Sequence, residues 1–209
     1  MLLYYITDRL SFAGAEADRR RELLRRVGEA ARAGVDYVQL REKDLNAAEL
    51  ELLTREALHV IRSNSSGTKF LVNTQVEVAL GAGVDGVHLP AGCGPARTVR
   101  EKWRNETGKE PLIGVSTHSL FDLKQAELQC AGFAVFGPIF EKAGLEERGI
   151  GLEALRQGCS ESGVPVLALG GVSLNNAKSC LDAGARGVAG IRLFQQGDVA
   201  ETVKRLRRL

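Results

Sequence analysis

Four times in this chain a helical pattern ends at glycine and gives way to a short apolar run, and that repetition leaves few folds open. Ala33-Gly34-Val35-Asp36 precedes the run 37–41, Ala82-Gly83-Val84-Asp85 precedes 86–89, Ala131-Gly132 precedes 133–136, and Ala183-Gly184-Ala185-Arg186 precedes 187–191. The glycines lie 49, 49 and 52 residues apart, and each stands where a helix C-terminus favours a left-handed residue. An interval of about 50 residues accommodates two strand-helix units, so each should contain a second strand. The runs 69–73, 112–116 and 165–170 fill that place, and an opening strand at 2–7 brings the total to eight. The helical patterns between them fall at 19–33, 47–62, 75–80, 95–106, 119–130, 152–161, 175–182 and 199–209. Short apolar strands alternating with helices argue for a parallel sheet, and eight such units close into a (β/α)8 barrel, here one compact domain over residues 1–209. The rival, an open doubly wound sheet, usually carries Gly-x-Gly-x-x-Gly after its first strand, and none is present there.

Charge narrows the partners. Lys and Arg total 28 against 26 for Asp and Glu, so no general attraction to nucleic acid or to a membrane is expected and anion recognition must be local. The basic runs Arg19-Arg20-Arg21 with Arg25-Arg26, and Lys204-Arg205 with Arg207-Arg208, read as solvated helix faces. Cys93, Cys130, Cys159 and Cys180 are widely spaced, with neither a Cys-x-x-Cys pair nor a histidine at zinc-ligand spacing. No metal cluster or disulfide framework is expected, and the absence of a signal sequence or long apolar stretch gives the expectation of a reduced, cytoplasmic protein. Association of identical copies is left open.

In a barrel of this kind the chemistry sits where the strands end. Those ends read Thr7 and Asp8, Gln39, Arg41 and Lys43, Asn73, His88, Ser116 and His118, and Glu141, followed by two glycine-rich endings at Gly170-Gly171 and Gly190-Ile191. Gln39, Arg41 and Lys43 are spaced two apart. On a strand they would share one face and form an anion pocket. Glycines closing the seventh and eighth strands let backbone N–H groups approach a phosphate. His88 reads as structural and His59, in mid-helix, as inert. Cys93 lies beside the expected pocket.

The chain resembles the family of thiamine phosphate synthase and its sister TenI, the thiazole tautomerase, over essentially its whole length. The matching residues are Tyr5-Ile6-Thr7-Asp8, Gln39-Leu40-Arg41-Glu42-Lys43, Asn73, Asp85-Gly86-Val87-His88-Leu89, Gly114-Val115-Ser116-Thr117-His118, Phe136-Gly137-Pro138-Ile139-Phe140 and Gly170-Gly171-Val172. The resemblance implies a (β/α)8 barrel that binds thiazole phosphate, its phosphate on the Gly170-Gly171 and Gly190-Ile191 loops. In synthases the positions of Gln39, Arg41, Lys43 and Asn73 hold a pyrimidine diphosphate and two aspartates carry magnesium. Here Asn73-Thr74 and Pro90-Ala91-Gly92-Cys93 replace the segments that bear those aspartates; a neutral hydroxyl and a thiol are poor ligands for so hard a cation. The synthase run after the sixth strand reads Glu141-Lys142-Ala143-Gly144 here, with Lys142 a partial substitute for its lysine. Leu89-Pro90, His118-Ser119-Leu120 and the stretch 144–149 are closer to TenI, although Pro138 stands where TenI has its proton-transfer histidine.

The reading expected first is therefore a TenI-like isomerase. Its candidate catalytic residues are His118, Glu141 and Lys43; Gln39, Arg41, Asn73, Ser116 and Lys142 bind substrate, and Gly170, Gly171, Gly190 and Ile191 bind phosphate. Arg41 and Lys43 would hold a carboxylate while His118 or Glu141 moves the proton, a task suited to imidazole near neutrality. No cofactor is expected for this reaction. The alternatives are thiamine phosphate synthesis, with magnesium, and a thiazole phosphate-binding protein without catalysis.

Overall fold

A computed structural model of the chain describes residues 1–92, 96–141 and 149–209. Eight strands, β1 (Leu2–Ile6), β2 (Tyr37–Leu40), β3 (Lys69–Asn73), β4 (Gly86–Leu89), β5 (Leu112–Thr117), β6 (Phe133–Phe136), β7 (Val166–Ala168) and β8 (Gly187–Gly190), form a closed, wholly parallel barrel in sequence order. It closes where β8 pairs with β1, Leu2 opposite Gly187 and Tyr5 opposite Gly190. Helices α1 (Glu16–Ala33), α2 (Ala47–Asn64), α3 (Val76–Ala82), α4 (Ala96–Thr107), α5 (Leu120–Leu128), α6 (Gly151–Glu161), α7 (Ala177–Asp182), α8 (Arg192–Gln195) and α9 (Val199–Leu206) follow the strands. This is the (β/α)8 fold that the repeat predicts.

The period of two along each strand divides the apolar residues into two layers. Leu3, Tyr5, Val38, Leu40, Phe70, Val72, Val87, Ile113, Ala134, Phe136, Val166 and Val188 belong to the layer between sheet and helices. Tyr4, Ile6, Leu71, Phe133, Val135, Leu167 and Ala189 fill the barrel interior, with Tyr37 against them. On α1 the fully buried positions Leu23, Val27 and Ala30 recur at helical spacing and turn that face to the sheet. Each large side chain so buried contributes roughly 1.5–3 kcal/mol.

Helix ends explain most of the chain's punctuation. Asn46 caps α2 and Ser119 caps α5, each in a reciprocal capping box, with Glu49 and Asp122 respectively. Gly34, Gly83 and Gly184 adopt the expected left-handed conformation, with φ of 90°, 72° and 99°. The third repeat departs from that rule. There Cys130 takes the left-handed turn, with φ of 60°, and Gly132 instead starts the approach to β6, donating its N–H to Ile113 O at 2.8 Å. The basic runs also differ from each other. Arg21, Arg25 and Arg26 pair with acids on their own helix, as solvated faces do, whereas Arg207 reaches back to Met1 O, Gly34 O and Asp36, tying the last helical turn under β1.

Candidate active site

A cavity of about 1250 Å³ opens at the carboxyl ends of the strands. Gln39, Asn73, His88 and Ser116 line it from the ends of four successive strands, β2 to β5. Strand register brings them together, since Asn73 lies opposite His88 and His88 opposite Gly114; the Gln39 amide reaches Asn73 Oδ1 at 3.4 Å. The opposing wall carries Ile6, Leu169, Ala189 and Ile191 with Gly137, Gly170, Gly171 and Gly190. One side thus offers hydrogen-bonding side chains, the other apolar surface and glycine backbone.

Arg41 and Lys43 line the same cavity, but not by strand alternation. β2 stops at Leu40, because the N–H of Arg41 leaves the ladder and donates to Thr7 Oγ1 at 3.0 Å. The expected shared strand face is therefore corrected: Gln39 projects from the strand, and the two cations come from the loop beyond it. Glu42, passed over in the sequence reading, holds that loop. Its buried carboxylate accepts from Thr7 Oγ1 at 2.5 Å and from Arg9 N and Nη1 at 3.0 and 3.2 Å. Burial pushes the Glu42 carboxyl upward while the hydrogen bonds from Thr7 and Arg9 oppose that shift. Arg9 also forks onto Asp44, with both contacts at 2.7 Å, and its Nε meets Glu16 at 2.8 Å. Asp44 accordingly titrates below the ordinary aspartate range, mainly through the guanidinium hydrogen bond. No periodicity could have revealed this network, whose partners lie up to 35 residues apart.

At the opposite wall Gly170 and Gly171 have φ of 92° and 66°. A side chain on Gly170 would come within 2.5 Å of Pro138 Cα, and one on Gly171 within 2.7 Å of Phe140 Cβ; only glycine fits both the dihedral and the space. The loop is fastened through its carbonyls, Gly170 O accepting from Phe140 N at 3.0 Å and Gly171 O from Asn176 Nδ2 at 3.0 Å. After β8 the chain enters the short helix α8, which the sequence reading missed by beginning its last helix at 199. Gln195 of α8 clasps the β1 loop, accepting from Asp8 N at 2.8 Å and donating to Asp8 O and Ser11 Oγ at 2.9 and 2.8 Å. The nearby Phe194 is fully buried.

His118 and Glu141 also border the cavity. His118 Nδ1 lies 2.7 Å from the carbonyl of Gly137; a carbonyl only accepts, so Nδ1 carries the proton and Nε2 remains the ring atom that can accept another. His88 is buried, with Tyr4 Oη 3.1 Å from Nδ1 and Ser116 Oγ 2.9 Å from Nε2. Desolvation, reinforced by Arg41, lowers its pKa to about 3. His59 is exposed on α2. Lys142 and Cys93 lie outside the described residues. Cys130, Cys159 and Cys180 are unpaired thiols, and burial pushes Cys159 and Cys180 up to about 11.

Among the described residues the donor set does not fit a protein-held magnesium ion. Among the described residues no three His, Cys, Asp or Glu side chains gather where they could hold a metal. Asn73 directs its amide at Thr74 Oγ1, 2.9 Å away, and Glu77 pairs with Lys102. Glu42 is committed to Thr7 and Arg9. Among the described residues no helix is long and apolar enough to cross a membrane.

Comparison with known proteins gives the same setting. The family model described as thiamine monophosphate synthase matches residues 3–194. A putative thiamine-phosphate synthase of Geobacter sulfurreducens is 40% identical over 190 residues, covering 90% of this chain and 83% of that protein. The thiamine-phosphate synthase of Moorella thermoacetica is 34% identical over 190 residues, covering 90% and 88%. Among solved structures, the thiamine phosphate pyrophosphorylase of Pyrococcus furiosus superposes with a TM-score of 0.81 at 29% identity, covering 99% of this chain and 94% of that one. By sequence match over nearly its full length and by the architecture that places these residues at one barrel mouth, the chain belongs to the thiamine monophosphate synthase family.

Proposed function

We propose that the chain condenses a pyrimidine diphosphate with a thiazole phosphate, releasing pyrophosphate. The supporting observation is the division of the cavity: two cationic side chains and an amide cluster on one wall face glycine backbone on the other, across a volume larger than one small ring needs. Arg41 and Lys43, with Gln39 and Asn73, receive the diphosphate; the Gly170-Gly171 and Gly190-Ile191 loops receive the thiazole's phosphate. The C–O bond to the diphosphate breaks with its electron pair leaving on pyrophosphate, and the thiazole ring nitrogen supplies the pair for the new C–N bond. Arg41 and Lys43 favour this step by matching charge that grows on the departing group. The names of the relatives support a synthase over the isomerase that the sequence suggested first. In this reading the enzyme works in the cytoplasm on small molecules.

One observation favours a second reading. With Nδ1 anchored to Gly137 O, His118 has Nε2 free of that bond at the edge of the cavity, the arrangement a proton-moving isomerase needs. The two readings separate in one experiment, in which pyrimidine diphosphate and thiazole phosphate are supplied together in magnesium-containing buffer, beside the tautomeric thiazole phosphate carboxylate alone. Thiamine phosphate in the first tube supports the synthase. Conversion only in the second overturns it in favour of the isomerase, and binding without turnover in either overturns both in favour of a carrier.

A further inference from the structure

Beneath the cavity a line of hydrogen bonds runs from the barrel interior to the ligand surface. Tyr4 is fully buried inside the barrel, edge-on to Tyr37 and Phe133 with ring centroids 5.9 and 5.3 Å away. Among the described residues its hydroxyl has one hydrogen-bond partner, His88 Nδ1 at 3.1 Å. The other edge of the imidazole meets Ser116 Oγ at 2.9 Å, and Ser116 borders the cavity. The arrangement is built closely around the ring. A Cβ on Gly114 would stand 2.7 Å from His88 Nδ1 and 2.4 Å from Phe133 Cζ, so the glycine opposite His88 in the sheet makes the room that the imidazole occupies.

A neutral imidazole has one N–H, and the two possible tautomers give Ser116 opposite roles. If Nδ1 carried the proton, it would donate to Tyr4 Oη, and the phenolic O–H would be left without an acceptor in an apolar interior. A buried unsatisfied donor costs about 1–3 kcal/mol. If Nε2 carries the proton, every donor is placed: Tyr4 O–H donates to Nδ1, and Nε2–H donates to Ser116 Oγ. The doubly protonated ring is disfavoured by burial and by the nearby positive charge of Arg41.

We propose that Tyr4 fixes His88 as its Nε2–H tautomer, so that Ser116 accepts from His88 and its own hydroxyl proton is directed to the ligand cavity. Tyr4 and His88 are then positioning residues that act through Ser116. The ligand atom meeting Ser116 is an acceptor, such as a phosphoryl oxygen or a ring nitrogen, and a donor group at that point is selected against. The tautomer follows from the barrel interior alone; the consequence for the ligand rests on the cavity being the substrate site proposed above.

The decisive measurement is nitrogen NMR of the unliganded full chain with 15N-labelled histidine. The expected result is a His88 spectrum with Nε2 protonated and Nδ1 as the acceptor. A protonated Nδ1, or an imidazolium at neutral pH, overturns the proposal irrespective of any turnover. Tyr4→Phe keeps the ring packing and removes the hydroxyl; it should let His88 populate both tautomers, whereas an unchanged single Nε2–H spectrum overturns the role given to Tyr4. Inorganic pyrophosphate and thiazole phosphate, titrated separately, then report on Ser116. Tyr4→Phe should weaken whichever anion meets Ser116 about three- to tenfold, and in a Ser116→Ala background it should weaken it no further. An equal loss in both backgrounds overturns action through Ser116. Failure of the synthase assay leaves the NMR result to decide the tautomer, so the two readings fail separately.

Discussion

Acidification should expose the cost of keeping His88 neutral. His88 titrates at about 3 in the folded protein, against about 6.5 for a histidine in an unfolded chain. Between those values the unfolded chain binds a proton that the folded one refuses. The contribution to stability is therefore fully present above pH 6.5 and is lost as pH falls toward 3. Each pH unit in that window removes about 1.4 kcal/mol, so the loss by pH 4 is about 3 kcal/mol, a ceiling because cavity water can solvate part of the ring. Carboxylates titrate in the same range, and a His88→Gln variant cancels them while retaining a side chain that can bond to both Tyr4 and Ser116. Urea unfolding followed by the fluorescence of Trp103, the chain's single and buried tryptophan, gives both stabilities. The stability of the parent chain should fall more steeply than that of the variant between pH 6.5 and 4. Parallel curves would refute the buried, neutral histidine.

Three further outcomes test the site. Glu42→Ala removes the acceptor of three hydrogen bonds and strands buried donors on Thr7 and Arg9; with Asp44 and Glu16 still on Arg9, the loss should be about 3 kcal/mol in urea unfolding, and a loss under 1 kcal/mol contradicts the network. Arg41→Ala should weaken inorganic pyrophosphate binding at least about tenfold by calorimetry, and unchanged affinity removes Arg41 from the anion wall. Titration with magnesium chloride alone should give no saturable heat at about millimolar concentrations, since among the described residues no carboxylate cluster awaits the ion; saturation there would contradict the assignment of the donor set.

The barrel was legible because its evidence is local and periodic. Glycine after the helices that precede β2, β4 and β8, and the short apolar runs that follow, are properties of neighbours in sequence, so all eight strands could be placed, with 69–73, 86–89 and 133–136 at their observed limits. Gln39, Asn73 and Ser116 were legible for the same reason, as polar residues ending apolar strands. Contacts between distant residues were not. Thr7 and Glu42, Tyr4 and His88, and Asp8 and Gln195 meet only because the barrel closes, and none leaves a period in the sequence. Cys130 shows the converse error: the rule that gives glycine the left-handed turn holds at Gly34, Gly83 and Gly184, but in the third repeat the helix ends at Leu128 and the turn falls on Cys130, two residues before the glycine.

Closure of the barrel has a kinetic consequence. β1 finds its second neighbour in β8, which begins 185 residues after the first residue of β1, so throughout synthesis one margin of the growing sheet waits for a partner that does not yet exist. A nascent chain at that stage displays unpaired backbone on Leu2–Ile6, an apolar segment, and such margins recruit other chains. Crowded expression should therefore lose material to association before completion rather than after it, and slower translation without chaperone help should worsen the yield of a protein whose finished form has no open edge.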